Sequence, residues 1–568
     1  MEKINKLKKI FKSEKIDGYI IPKNDEFFGE YIPDYKDRLK YISNFSGSYG
    51  FALVLNNANY LFVDGRYTLQ ANIQSGNFFK IKTIPDVLPN DILKNKKLKI
   101  GFDSKLFTRK SLNVFFGKTN CKYIPIKNNL VDKIWIRKQF IKNSKFYTLP
   151  KKSVGENSKS KVNKIASELK KRKCDFQFIT ASENNAWLLN IRGNDSKYTP
   201  IPYSHILIDV KKKITFFCDL KKISSSFKKN FKNVKFADIN SIDKILLKIN
   251  NKKFIIDKNT CSIYFENIIL KNNRILKQHD TIYYLKAVKN KKEIENIKRA
   301  HIFDGAALTK YLFWIKKNFL KKKITEISAS HKLLNFRKKN KSFKFSSFPT
   351  ISGTGPNGAI IHYKATKKSN RKLKKGDIYL VDSGGQYNYG TTDVTRTISL
   401  QNFNKRIKNI FTRVLKGHIA VASFNLKKNT SGSMIDLKAR SYLKQINLDY
   451  AHGTGHGVGY FLNVHEGPHA ISKNNNVNFQ GGMVVSNEPG YYEKDNFGIR
   501  IENLIYVKKN CFDNLTMVPI DKDLIDKKIL NYNERNWLND YHKKVFSTLK
   551  RFMNKNENTE LEKACSAI

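Results

Sequence analysis

The first 290 residues carry one order of elements twice, and this repeat limits the fold more than any other feature of the chain. An amphipathic helix pattern (Ile4, Leu7, Ile10, Phe11) leads into a short apolar strand at 18–22. A segment at 39–42, the turn Phe45-Ser46-Gly47-Ser48 and the strands FALVL and NYLFVDGRY follow. The second copy runs through a helix at 162–169, a strand at 176–180, a segment at 187–193 and the strands HILIDV and KITFFCDL. Pairing Ile4 with Val162 gives an offset of 158 (162 − 4), and pairing Gly47 with Gly193 gives 146 (193 − 47). The first copy should therefore hold a 12-residue insertion (158 − 146), placed near 27–36. Two related α/β domains in tandem account for this order.

The polar, Ser/Lys-rich stretch at 149–161 reads as a linker, and a second boundary falls near 289–293, where the run EIENIKRAHIFDGAALTKYLFWI begins. Three domains are expected: 1–150, 151–288 and 289–568, the last with a C-terminal extension from about 522. The length of 568 residues fits three or four domains. The fold class expected is α/β (α+β), with the Gly- and His-rich third domain carrying the chemistry.

With 107 Lys+Arg against 48 Asp+Glu the formal charge is +59. The lysines are scattered in pairs and triplets from end to end, so they read as a solvated surface rather than a phosphate-binding face, and no nucleic-acid partner is expected. The six cysteines stand singly, unlike a disulfide framework or a structural zinc site. The N-terminus lacks the apolar core of a signal peptide, and no stretch approaches the roughly 18 apolar residues of a spanning helix. A soluble cytoplasmic protein without membrane contact is the expectation.

Five residues of the third domain have the types expected of a dinuclear metal site. Asp382 ends the strand-like DIYLVD and Asp393 lies in TTDVTRTI, with the turn-prone GGQYNYG between them. A hairpin would bring the two together, although taken singly they read as turn and strand-end residues. In His452-Gly-Thr-Gly-His456-Gly-Val-Gly the alternating glycines make a helix costly. In an extended chain, residues four apart share a face and glycine permits close backbone approach. His465 follows, and Glu488 and Glu502 end or enter apolar strand-like runs, where a carboxylate needs a cation. Four carboxylates and an imidazole can hold two divalent ions and activate water for hydrolysis. The oxygen-rich set favours manganese, with zinc or cobalt left open by His456.

Together with DEFFGEYIPDYKDRLKYISNFSGSYG, DGRYTLQA, AWLLNIRG, FPTISGTGPNGAIIHY, VDSGGQY, HGTGHGVGYFLNVHEGP, NEPGYY and GIRIEN, these residues resemble the Xaa-Pro aminopeptidases of the creatinase-like "pita-bread" metallopeptidases, in their long three-domain form. The resemblance implies two creatinase N-terminal-like domains ahead of a pita-bread catalytic domain. It implies that Asp382 chelates one metal, that Asp393 and Glu502 bridge both, and that His456 and Glu488 complete the other. A metal-bridging hydroxide would attack the bond before proline, with Glu488 taking its proton and His465 donating one to the prolyl nitrogen. His362 and His452 correspond to substrate-contacting histidines, and Arg500 corresponds to a motif arginine at the substrate site that orients the bridging glutamate. Short peptides with proline second and a homodimer are implied as partners. The alternatives are a prolidase, cleaving only Xaa-Pro dipeptides, and a non-catalytic peptide-binding module on the same scaffold.

Overall fold

The computed structural model describes residues 1–137, 144–402 and 404–568. The chain divides into two compact units, one of residues 1–151 and 156–283, the other of 152–155 and 284–568.

The first unit holds two six-stranded sheets. One contains β1 (Gly18–Pro22), β2 (Phe51–Leu55), β3 (Asn59–Asp64), β4 (Lys80–Ile84), β5 (Lys99–Phe102) and β6 (Lys122–Pro125), in the order β4-β3-β2-β1-β5-β6. The other contains β7 (Phe176–Ile179), β8 (His205–Asp209), β9 (Ile214–Cys218), β10 (Val234–Asp238), β11 (Lys253–Asp257) and β12 (Arg274–Gln278), in the order β10-β9-β8-β7-β11-β12. In both sheets the two pairings after the first strand are antiparallel and the other three are parallel. The repeat read from the sequence is thus a repeat of topology and strand direction.

The central strands are buried on both faces, which is why they are continuously apolar. Tyr19 and Ile21 of β1 pack with Ile4, Leu7 and Phe11 of the first helix, while Ile20 faces Leu53 and Ile100 on the other side. The expected insertion lies at 23–37, between β1 and the helix Arg38–Ser43, where the second copy has only residues 180–181 before its helix Ser182–Leu189. It contains the short helical turn Asp34–Lys36.

The second unit opens on the helix Lys291–Asn318, capped by Asn290 and Glu293 in a reciprocal box. Strands β13 (Ile351–Thr354), β14 (Ile378–Ser383) and β15 (Val394–Ser399) form an antiparallel sheet in that order. A five-stranded sheet contains β16 (Gly455–Gly457), β17 (Glu466–Ile471), β18 (Val484–Asn487), β21 (Asn503–Lys508) and β22 (Cys511–Asn514), ordered β17-β16-β18-β21-β22. Between β18 and β21 lies the hairpin of β19 (Gly490–Glu493) and β20 (Phe497–Arg500).

Two local expectations change. Strands β14 and β15 do pair, Asp382 opposite Thr395, but 384–390 is no simple turn. Gly385–Tyr387 and Gly390–Thr391 form their own hairpin against Phe343–Ser346. Tyr387 anchors it by donating from its buried hydroxyl to Asp304 Oδ1 at 2.7 Å. The run GIRIEN is not one strand: it breaks after Arg500, so Glu502 sits in the gap between β20 and β21. No helix among the described residues is long and apolar enough to cross a membrane.

Candidate metal centre

The alternating glycines let three backbones converge. A Cβ on Gly455 would lie 1.8 Å from the Ser486 carbonyl, and one on Gly457 2.3 Å from the Glu466 carbonyl, so β16 fits between β17 and β18 only as glycine at these positions. His456 stands between them with its N–H donating to Ser486 Oγ at 2.9 Å. Its Nδ1 donates to the Gly457 carbonyl at 3.0 Å, which turns Nε2 towards Asp393 Oδ2 and Glu488 Oε1, each at 3.4 Å. Fixing the Nδ1 proton in this way presents the other nitrogen as a ligand atom.

Asp393 precedes β15, and one ligand atom each from Asp393, His456 and Glu502 lies within 4.8 Å of the others. Glu502, 1% exposed, accepts from Thr395 Oγ1 at 2.7 Å through Oε2. Glu488 follows β18, and its Oε1 accepts from Ser486 Oγ at 2.8 Å. Asp382, on β14, accepts from Arg500 Nη2 at 2.7 Å through Oδ2. Asp382 Oδ1 and Asp393 Oδ1 are buried without a hydrogen-bond partner.

Crowding shows in the ionisation of these groups. Burial, with the Asp382 and Glu488 charges, pushes Asp393 up to about 7 against the hydrogen bond from His456. Burial and the charges of Asp393, Glu488 and Asp382 hold Glu502 well above the usual carboxylate range, with Arg500 opposing. For His456 burial acts downward, but the Asp393 hydrogen bond and the Glu488 charge raise it to about 9. Carboxylates pressed together this closely, with two orphaned oxygens, become stable as anions when cations lie among them. The donor set of four carboxylates and one imidazole therefore fits hard or borderline divalent ions.

The three other candidate histidines occupy different places. The exposed His465 sits just before β17, its ring edge-on to that of His456 at 4.3 Å between centroids. Half-buried His452 has Nε2 2.9 Å from the Tyr492 hydroxyl, which also receives Arg500 Nη1 at 2.6 Å. His362 is half-buried in the turn after the helical segment Gly355–Ala359. That segment lies against β20, since a Cβ on Gly498 would come 1.8 Å from the Gly358 carbonyl. Arg500 does not bond Glu502 directly. It reaches it through Thr395, whose Oγ1 accepts from Arg500 Nε at 3.1 Å.

Thr395, Ser486 and Tyr492 were not singled out from the sequence, yet each joins two members of this cluster. Thr395 was within reach of period-2 reasoning: it sits two residues from Asp393 and so shares its face. Tyr492 carried no such signal, because His452 lies 40 residues away and Arg500, eight residues away, reaches it only through the pairing of β19 with β20.

Residues 295–509 match the model of metallopeptidase family M24 and 509–568 that of its C-terminal region. Residues 3–134 and 137–293 each match a creatinase/prolidase N-terminal domain. A probable Xaa-Pro aminopeptidase P of Laccaria bicolor is 37% identical over 95% of this chain and 89% of its own length. Xaa-Pro aminopeptidase 1 of Dictyostelium discoideum is 36% identical over 98% and 94%. The X-prolyl aminopeptidase of Caenorhabditis elegans, described as a cytosolic enzyme with a di-nuclear active site, superposes with a TM-score of 0.94 at 32% identity, covering 100% of this chain and 99% of that one. A prolidase of Pyrococcus furiosus covers 62% of the chain at 24% identity and a TM-score of 0.52, which shows shared fold alone. With creatinase-type N-terminal domains, an M24 catalytic region and relatives of this identity along nearly its whole length, the chain belongs to the Xaa-Pro aminopeptidase P family of M24 metallopeptidases.

Proposed function

We propose that this chain is a metal-dependent aminopeptidase that releases the N-terminal residue from short peptides whose second residue is proline. The observation that carries the reading is the convergence of Asp393, His456 and Glu502, with Asp382 and Glu488 bound into the same hydrogen-bond network. Asp382, Asp393, His456, Glu488 and Glu502 would hold two divalent ions, with manganese favoured by the oxygen-rich donors over zinc or cobalt. Such ions, when bound, lower the pKa of water and polarise the carbonyl to be cleaved.

The chain's own groups divide the remaining work. Glu488, whose Oε1 is steadied by Ser486, takes the proton of the attacking water. A prolyl nitrogen belongs to a tertiary amide and has no hydrogen, so it leaves only when protonated. His465, exposed beside His456, supplies that proton. His362 and His452 contact the substrate carbonyls. Arg500 holds Asp382 directly and Glu502 through Thr395, and so keeps two carboxylates in place at once. Proline is selected at the second position by its fixed φ and missing donor.

The proposal extends to a homodimer working in the cytosol without nucleic acid, and to domain boundaries at 150/151 and 288/289. The test is hydrolysis of Arg-Pro-Pro and Arg-Pro by the full chain, first with chelator and then with added manganese, zinc or cobalt. Release of arginine from the tripeptide only when metal is restored supports the reading. Cleavage confined to the dipeptide supports a prolidase, and tight binding without cleavage a peptide-binding module.

A further inference from the structure

Glu466 begins β17, one residue after His465, and its carboxylate lies between two lysines. Lys286 Nζ donates to Oε2 at 2.9 Å and Lys289 Nζ to Oε1 at 2.6 Å, and all three side chains are 1% exposed or less. Both lysines come from the start of the second unit's main segment, ahead of the helix Lys291–Asn318. That segment is tied to the five-stranded sheet by the bridge between Val288 and Met483 and by the Lys289 N–H donating to the Gly482 carbonyl at 3.1 Å. Lysine is rarely buried this completely. The buried Glu293 also acts on Lys289, and apolar side chains of similar volume commonly stabilise such a buried ionic position at least as well, so stability is a weak reason for the trio.

The trio stands at an irregular pairing. His456 faces Ala470 across β16 and β17, but the next residue, Gly457, faces Glu466, so residues 467–469 form a bulge. Bulges beside functional sites re-aim side chains. Glu466 closes the base of this one, with Oε2 3.0 Å from where a Cβ on Gly459 would lie. His469 fills it from within, Nε2 donating to the Val484 carbonyl at 2.7 Å. The residue on the open side is His465, whose ring meets His456.

We propose that Glu466, clamped between Lys286 and Lys289, is a positioning residue that fixes the bulge from which His465 reaches the metal cluster, and that it acts on turnover through His465. The inference rests on the reaction proposed above. It is tested with the full-length, metal-reconstituted protein and the substrate Arg-Pro-Pro, comparing Glu466→Gln with the apolar triple variant Lys286→Met/Lys289→Met/Glu466→Leu, each alone and combined with His465→Ala.

Both changes are expected to lower kcat by about 10- to 100-fold, the cost of a misplacement on the order of 1 Å, with KM and bound metal unchanged. The triple variant should melt no lower than the wild type. In the His465→Ala background neither change should reduce kcat further, the non-additivity expected of groups acting as one unit. Wild-type kcat in the triple variant, or losses that multiply with that of His465→Ala, would overturn the proposal. A crystal structure of the triple variant gives a readout independent of activity. The proposal expects the His465 ring displaced from its 4.3 Å contact with His456, and an undisturbed pair refutes it. Failure of the hydrolase reading shows separately, as metal-loaded wild-type protein that leaves Arg-Pro-Pro intact.

Discussion

Replacing Thr395 with valine removes one hydroxyl and keeps the β-branched shape, so it isolates what that hydroxyl does. Thr395 is fully buried, donates to Glu502 Oε2 at 2.7 Å and accepts from Arg500 Nε at 3.1 Å. The substitution strips Glu502 of a charge-assisted hydrogen bond, a contact worth about 1.5–3 kcal/mol, and leaves Arg500 Nε without its acceptor. With 1.4 kcal/mol per factor of ten, the loss corresponds to roughly 10- to 100-fold weaker metal binding, in line with the removal of groups that orient a metal ligand. Arg500 keeps its bonds to Asp382 and Tyr492, so the fold and the second carboxylate should persist. Calorimetric titration of the chelator-stripped protein with manganese or zinc measures the effect, and saturating metal should restore kcat to within a few-fold of wild type. A metal Kd within twofold of wild type would refute the idea that Thr395 orders Glu502 for a cation.

Other perturbations probe the rest of the account. Glu488→Gln should leave the melting temperature near wild type and lower kcat on Arg-Pro-Pro by about 10²- to 10⁴-fold, the range for loss of a general base; normal turnover would contradict the assignment. Gly455→Ala puts a methyl group 1.8 Å from the Ser486 carbonyl, so it should part β16 from β18 and lower both the melting temperature and the bound metal. Burial pushes His205 down to about 4 and His542 to about 3, both below the value near 6.5 expected unfolded. Their contribution is complete above 6.5 and is lost as pH falls from there towards the folded values, because the unfolded chain takes up the protons first. Each histidine should therefore remove up to about 1.4 kcal/mol per pH unit between pH 7 and pH 5, read as the difference in pH dependence of the urea midpoint between the wild type and its His205→Gln or His542→Gln variant. The same pH dependence in wild type and variant contradicts this reading.

Local pattern made part of this molecule legible in advance. The tandem repeat followed from helix and strand periods, and its insertion was placed inside 23–37, because topology is written in short-range pattern. The glycines around His456 announced close backbone approach, and the distances at Gly455 and Gly457 give the reason. What stayed hidden depends on partners distant along the chain. The stretch 384–390 looked like a turn because its glycines and tyrosines do not reveal Phe343–Ser346, against which it pairs, nor Asp304, which anchors Tyr387. GIRIEN read as one strand because the break at Glu502 is set by its placement in the cluster rather than by a breaker residue. Among so many lysines, Lys286 and Lys289 had no local mark separating them from solvated neighbours. Their carboxylate partner lies 180 and 177 residues away. Arg396 was equally silent, yet it is buried and donates to the carbonyls of Glu502, Val518 and Pro519, tying the gap that holds Glu502 to the segment leading into the C-terminal helices.

Everything proposed about the chemistry depends on divalent ions lying among the clustered acids. Anomalous diffraction from crystals of the manganese-reconstituted chain, recorded at the manganese edge, tests this most directly. Two peaks roughly 3.5–4 Å apart, ligated by Asp382, Asp393, His456, Glu488 and Glu502, are the predicted result. Crystals showing no peak among these five residues, or manganese bound only elsewhere on the chain, would contradict it.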